Sequence, residues 1–280
     1  MKTPPTLAIV GAGKVGRMLA GLWHAAGAVT VQDILNRTPG SAQQAADFIG
    51  AGRAITAFGQ LRRADIVLVG TPDDQIGACC DQLAASGQLA GAGIVFHCSG
   101  ALRSSILQSA KVSGAAIASV HPVRSFARPE EVARSFAGTW CGIEGDREAL
   151  DVLHPLFTGI GAQLFEIDPE QKILYHAAAV FASNYLVTLL DTAVQTYGKA
   201  GVPPEIARQM MASLVRETTE NVLRWGPEQA LTGPIARNDV ATVLTQYRGV
   251  TRWDRRYGDL YKKLGKLTAA LARRRNGKSG

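Results

Sequence analysis

The sequence predicts an α/β chain: a doubly wound, mostly parallel sheet followed by an all-helical C-terminal domain. Three observations predict it. Short apolar runs alternate with helical stretches through the first 167 residues. The first such run ends in a glycine-rich turn that opens a helix. After Asp168 the strand-like runs stop and helical patterns fill the remainder.

The first run, Leu7 to Val10, reads as a buried strand. Gly11, Gly13 and Gly16 follow at the G-x-G-x-x-G spacing, and Arg17 to Trp23 continues with helical character. Each glycine has a physical reason: Gly11 for the tight turn, Gly13 for backbone approach to a pyrophosphate, Gly16 for close helix–strand packing. The amides at the helix start, on Lys14, Val15 and Gly16, and the positive end of the helix dipole face that phosphate. This is a Rossmann-type dinucleotide site. The bland alternative is a glycine-rich turn in an ordinary βα unit.

Further strands are expected within 28–35, 54–57, 65–70, 93–97, 115–120, 139–143 and 162–167, with a helix at Ser41 to Ile49 between the second and third. Apolar strands between helices imply a sheet covered on both faces, with ligands at the carboxyl ends of the strands. Asp168-Pro169-Glu170-Gln171 is a helix start: Asp as N-cap, Pro at the first helical position, Gln three after the cap. A helix from Pro169 to about Lys199, about 45 Å long, leads the second domain. Helices near Glu205 to Arg224, after Asp239 and from Asp254 complete it. The expected domains are 1–167 and 168–280.

Composition bounds the rest. At 280 residues, 46% hydrophobic and 19% charged, the chain is an ordinary globular protein. Met1 to Pro5 run straight into the first strand, so a secretory leader is not expected. The apolar stretch Ala177 to Leu190 is interrupted by Ser183 and Asn184, and a membrane span is not expected. The four cysteines lack metal spacing, which suits a reducing cytoplasm. Part of the net charge of +7 sits between Lys262 and Lys278. A solvated, frayed helix end explains that better than nucleic acid binding.

The second strand ends near Leu35, where NAD-binding proteins carry an acidic residue for the ribose. Here Asn36-Arg37-Thr38 stands instead, and these side chains can donate to a 2′-phosphate. NADP(H) is therefore the expected cofactor. Asp33 is the acidic alternative, and its place within the strand run argues against it. Thr71-Pro72-Asp73 follows the fourth strand at the same sheet edge and is expected to touch the cofactor or to cap a helix.

Candidate chemistry gathers at that edge. Ser99 follows the fifth strand. His121 ends the next, and its pKa range suits acid–base work. Arg124 and Ser125 lie just beyond. On the long helix, Lys172 and His176 stand four apart on one face, with Asn184 eight further on. Arg237, in a turn-rich segment, either holds a substrate carboxylate or pairs with Asp239.

These segments carry a resemblance. The glycine loop, Val69 to Asp74, His97-Cys98-Ser99-Gly100-Ala101, His121 to Phe126, Tyr175 to Tyr185 and Leu231-Thr232-Gly233-Pro234 resemble bacterial Rossmann-like proteins with a C-terminal helical domain of unknown function. That group is usually described as NADP oxidoreductases, similar to pyrroline-5-carboxylate reductase, ketopantoate reductase and prephenate dehydrogenase. The resemblance implies a helical domain of the 6-phosphogluconate dehydrogenase type, NADP use, and a homodimer formed through that domain. Ser99 and His121 are placed like the Ser and catalytic His of prephenate dehydrogenases. Lys172 and Asn184 resemble the Lys and Asn of ketopantoate reductases, at a wider spacing. The expected activity is NADP(H)-dependent oxidoreduction of a small keto or imino acid. His121 moves the proton, Ser99 and Asn184 orient the reacting group, Lys172 or His176 assist, and Arg124 or Arg237 holds a carboxylate. The alternative is a non-catalytic NADP(H)-binding sensor.

Overall fold

The computed structural model describes residues 3–89 and 93–277. Residues 1–183 and 184–280 form two compact units.

The first unit is built on eight strands and the helices between them: β1 (Thr6–Val10), α1 (Lys14–Ala25), β2 (Thr30–Leu35), α2 (Pro39–Ile49), β3 (Arg53–Ile55), β4 (Ile66–Val69), α3 (Asp73–Ala85), β5 (Ile94–His97), α4 (Gln108–Val112), β6 (Ala116–Pro122), α5 (Pro129–Arg134), β7 (Trp140–Gly145), α6 (Arg147–Gly159), β8 (Gln163–Glu166) and α7 (Lys172–Ala182). The sheet order is β3-β2-β1-β4-β5-β6-β7-β8. All neighbours are parallel except β6 and β7, which run antiparallel, with His121 opposite Gly142.

Alternation along the strands explains the two covered faces. Leu7 and Ile9 enter one core cluster, Ala8 and Val10 the other. On the first face Trp23, Phe96 and Phe157 meet edge to face, and the sealed Trp23 indole donates to Leu156 O at 2.9 Å. A large ring is thereby buried without leaving its N–H unpaired. Helix starts follow their side chains: Thr38 caps α2 by accepting from Ser41 N, with Pro39 behind it. Asp168 accepts from Glu170 N ahead of α7.

The order of the first four strands fixes where a ligand can sit. The chain passes from β1 outward to β2 and β3, then returns to β4 on the other side of β1. That reversal opens a crevice at the carboxyl ends of β1 and β4.

The second unit is helical: α8 (Asn184–Lys199), α9 (Pro204–Trp225), α10 (Pro227–Ala230), α11 (Val240–Trp253) and α12 (Arg255–Gly277). Asp239 caps α11 through Thr242 N at 3.1 Å. Arg275 donates to Leu231 O and Ala236 O and so holds the 231–239 turn.

Two expectations need correction. The single helix from Pro169 to Lys199 is a one-turn 3-10 start followed by α7 and α8, broken at Ser183 (φ −122°, ψ −71°). The compact units divide at that break, beyond the expected boundary at 168, because Lys172 and Tyr175 bind α7 to the sheet. Pro169–Lys199 as a whole is long and apolar enough to cross a membrane by length and composition, and its most apolar stretch is unburied within the chain; the break at Ser183 divides it.

Candidate functional site

At the β1/β4 crevice lies a cavity of about 650 Å³, lined by Gly11, Ala12, Gly13, Asn36, Arg37, Thr38, Thr71 and Pro72 among others. Gly11 sits at φ +84°, a conformation that favours glycine, and a β-carbon there would strike Thr71. Gly13 caps α1 without a side-chain bond, and no acidic residue occupies the first turn of that helix. The amide end of α1 therefore offers donors and positive potential with no carboxylate opposing it. These features fit a dinucleotide phosphate. Lys14 extends its amine to Ala127 O at 3.1 Å, toward the loop after β6.

Asn36 acts differently from expectation. Its Oδ1 accepts from Ala12 N at 2.7 Å and its Nδ2 donates to Ser41 O at 2.8 Å. Both ends of the amide are engaged, so Asn36 braces the glycine turn against β2. Thr38 serves chiefly as the cap of α2. Arg37 is exposed at the rim, and no described residue pairs with it, which fits a 2′-phosphate. Asp33 is sealed and accepts from Arg53 and Arg62. Burial pushes its carboxyl up, but those two guanidinium groups and Arg62 N outweigh it and hold it below the ordinary range. It is thus a strut between β2, β3 and the segment before β4. Thr71 Oγ1, in the crevice wall, is buried with no nitrogen or oxygen partner.

A second set of polar groups lies farther along the same sheet edge. His121 ends β6. Its Nδ1 lies 2.8 Å from the Tyr175 hydroxyl on α7, and its ring meets His176 edge to face at 5.6 Å between centroids. Two glycines make the room. A β-carbon on Gly142 would lie 3.0 Å from the Tyr175 hydroxyl, and one on Gly100 would lie 2.8 Å from His121 Nε2 and collide with His176 Nδ1. His176 Nδ1 is buried and unpartnered. Burial, then the neighbouring His176 and Lys172, pull the His121 pKa down to about 4, so the ring is neutral near pH 7. Tyr175 was missed in the sequence, where it reads as one more apolar position on a helix.

Four expected site residues, Ser99, Asp73, Lys172 and Arg124, are engaged with partners within the chain. Ser99 donates to Asp73 Oδ2 at 2.7 Å and accepts from the amides of Ala101 and Leu102. Its hydroxyl shapes the 99–102 turn and is not a free orienting group. The buried His97 supports the same turn: Nδ1 accepts from Ser99 N, which leaves Nε2–H to donate to Arg103 O. Asp73 opens α3 and supports Ser99; it is not among the residues lining the crevice. Lys172 is 1% exposed, bonded to Glu144 at 2.9 Å and to Ser119 Oγ. It is a strut joining α7 to β6 and β7. Arg124 donates to Ser135 O, Ser135 Oγ and Thr139 Oγ1, and so ties down the loop before β7.

Ser125 is exposed in a shallow hollow beside Arg128 and Glu131. Asn184 and Arg237 are exposed in the second unit, Asn184 as the first residue of α8 and Arg237 in the 231–239 turn. A wider hollow, about 760 Å³, opens at the opposite edge of the sheet. There Lys111 pairs with Asp146 and Asp65 accepts from Thr6, while Glu148 also lines it, and it lies away from the strand ends that carry His121.

Comparison with known proteins agrees with this architecture. Residues 3–122 match a Rossmann-like domain, and residues 139–268 match a domain of unknown function, DUF2520. No curated protein matches the chain. Among solved structures, protein TM1727 from Thermotoga maritima is 28% identical, with 96% of this chain and 99% of that one covered and a TM-score of 0.76. The "putative NADP oxidoreductase BF3122" from Bacteroides fragilis is 20% identical over 96% and 99%, with a TM-score of 0.76. Pyrroline carboxylate reductase from Plasmodium falciparum, solved with NADP bound, shares 12% identity over 97% and 100%, with a TM-score of 0.60. The chain thus joins a Rossmann-like domain to a DUF2520 domain.

Proposed function

We propose that this chain is an NADP(H)-dependent oxidoreductase acting on a small carbonyl- or imine-bearing molecule. The observation that carries the reading is the juxtaposition of two features on one sheet edge. One is a glycine turn at the β1/β4 crevice, with an unopposed helix N-terminus and Arg37 at its rim. The other is the His121–Tyr175–His176 cluster, two strands along from β4. The NADP-bound and oxidoreductase neighbours support it at the level of fold.

The amides at the start of α1 would hold the pyrophosphate, and Arg37 would hold the 2′-phosphate. When bound, the cofactor would supply or accept a hydride. His121 is the group proposed to handle the proton, with His176 beside it. A wall of purely apolar side chains would have favoured a sensor, and this edge is polar. The exposed apolar side chains Val187, Leu214 and Leu223 of the helical unit support a homodimer formed through it. The four free cysteines suit a reducing compartment such as the cytoplasm.

The test has two parts. NADPH at a hundredfold its dissociation constant should raise stability by about 2.7 kcal/mol, read as a thermal shift, and an unchanged transition would overturn the binding site. NADPH oxidation is then screened against ketones, keto acids and cyclic imines, with His121→Ala as control. Full activity in that variant would remove His121 from the chemistry. Light scattering during size exclusion reads the oligomeric state, and a monomer would refute the dimer.

A further inference from the structure

The chemistry open to the His121 cluster depends on which ring nitrogen carries the hydrogen. Tyr175 Oη lies 2.8 Å from Nδ1 and has no other hydrogen-bond partner among the described residues. A phenol has one hydrogen to donate, and a neutral imidazole has one N–H and one bare nitrogen. If Nδ1 held the hydrogen, the phenol would accept it. Its own hydrogen would then be left beside Gly142 with no acceptor among the described residues. If the hydroxyl donates, both groups are satisfied and the ring hydrogen stands on Nε2. That nitrogen has no partner among the described residues and is not sealed from solvent. Burial keeps the Tyr175 hydroxyl protonated, with its pKa pushed up to about 12, and keeps His121 neutral.

We propose that Tyr175 is a positioning residue that fixes His121 as its neutral Nε2–H tautomer, and that the site is thereby built for a carbonyl oxygen, in a ketone or keto acid, rather than for an imine. The substrate half of this rests on the oxidoreductase reading. A carbonyl oxygen accepts a hydrogen bond and gains negative charge as its carbon becomes tetrahedral, so a fixed N–H donor is most useful there. The proton that completes the alcohol passes from Nε2 to the oxygen as the Tyr175 hydroxyl passes its own to Nδ1, and solvent returns a proton to Tyr175. An imine reacts as its protonated cation, whose positive charge calls for a free carboxylate beside it. The acidic groups near His121 are tied to other residues: Asp73 through Oδ2 to Ser99, and Glu144 to Lys172 and Ser104. The neighbouring cations are engaged too, Lys172 with Glu144 and Arg103 with Glu170. The polar atoms nearest a β-carbon at Gly100 are imidazole nitrogens, Nε2 of His121 and Nδ1 of His176, and not carboxylates.

The test is nitrogen NMR on the full chain labelled with ¹⁵N-histidine, at pH 7.5 without cofactor. His97 is an internal reference, since Ser99 N holds it in the Nε2–H form. Expected in the wild type are Nε2–H signatures for both rings. In Tyr175→Phe, His121 should shift toward a mixture of tautomers while His97 stays unchanged. With a reducible ketone, kcat of this variant should fall at least tenfold and KM for NADPH should stay within twofold. The wild type should turn over a cyclic imine of similar size at least a hundredfold more slowly than the ketone. A wild-type Nδ1–H signature, or an unaltered His121 signature in Tyr175→Phe, overturns the tautomer assignment. Imine turnover matching ketone turnover overturns the substrate class. Failure to bind NADPH, with the expected spectra, overturns the oxidoreductase reading and the substrate class with it, and leaves the tautomer assignment standing.

Discussion

Lys172 Nζ lies 2.9 Å from Glu144 Oε1 with both side chains almost fully sealed, so an ion pair sits beneath the helix that carries Tyr175 and His176. Glu144 also accepts from the amide and hydroxyl of Ser104, and Lys172 also donates to Ser119. One buried carboxylate therefore ties together α7, β7 and the segment before α4. Removing one member leaves the other charged and unpaired in a dry site. Lys172→Met should cost about 3–5 kcal/mol of stability, read from the urea midpoint. Adding Glu144→Gln should restore part of the loss, because the orphaned charge goes with it. A loss below about 1 kcal/mol, the scale of an exposed pair, would show that the pair is not the strut described.

Two buried histidines make stability depend on pH in a defined window. Burial pulls His97 to about 4, and burial with His176 and Lys172 does the same for His121, against an ordinary value of 6.5. Between those values the unfolded chain binds protons that the folded chain does not, so stability falls as pH drops from about 6.5 toward 4. The loss from these groups is complete below their folded values. Each contributes about 1.4 kcal/mol per pH unit inside the window. Urea midpoints from pH 7.5 to 4.5 for the wild type and His97→Asn should give slopes differing by about one proton. Parallel slopes would mean that His97 is not held neutral.

Much of the frame was legible because its signals are local. The eight strands were readable as apolar runs, since a sheet covered on both faces requires them. Glycine spacing marked the first turn, and Asp168 and Asp239 announced their helices. What was not legible depends on residues far apart in sequence. Lys172, Ser99, Asn36 and Arg124 carry groups that could serve a ligand, and each is instead engaged with a partner such as Glu144, Asp73, Ala12 or Thr139. A side chain's type does not reveal whether its hydrogen bonds are already made. Tyr175 was hidden for the converse reason: its reach to His121 depends on the missing side chain of Gly142, opposite His121 in the sheet. The break at Ser183 carries no Gly or Pro signal, and Pro129 and Gly138 mark turns before β7 without telling which way that strand will run.

Gly100 tests whether the His121 cluster is a working site. A β-carbon there would collide with His176 Nδ1 and lie 2.8 Å from Cε1 and Nε2 of His121, so both rings must turn. Displacing a reacting group by about 1 Å costs roughly a hundredfold in rate. Gly100→Ala should lower kcat by about that factor, while the dissociation constant for NADPH, set at the glycine turn, stays within about twofold. Steady-state kinetics beside fluorescence titration would read both. An unchanged kcat would mean that chemistry does not take place against these rings.

Arg37 decides between the two nicotinamide dinucleotides. The acidic residue that would bind an unphosphorylated ribose is absent from the end of β2, and Asp33 is locked to Arg53 and Arg62 within the sheet edge. Asn36 and Thr38 are engaged in bracing and capping, which leaves Arg37 as the exposed cation of the Asn36-Arg37-Thr38 segment. Charged hydrogen bonds contribute about 1.5–3 kcal/mol each. Arg37→Ala should therefore weaken NADPH binding by roughly 10- to 150-fold and leave NADH binding nearly unchanged. Fluorescence titration of both cofactors on wild type and variant gives the ratio directly. Because Arg37 makes no hydrogen bond or ion pair with the described residues, the variant should keep the wild-type melting temperature without cofactor. Equal weakening of the two cofactors would place the 2′-phosphate elsewhere.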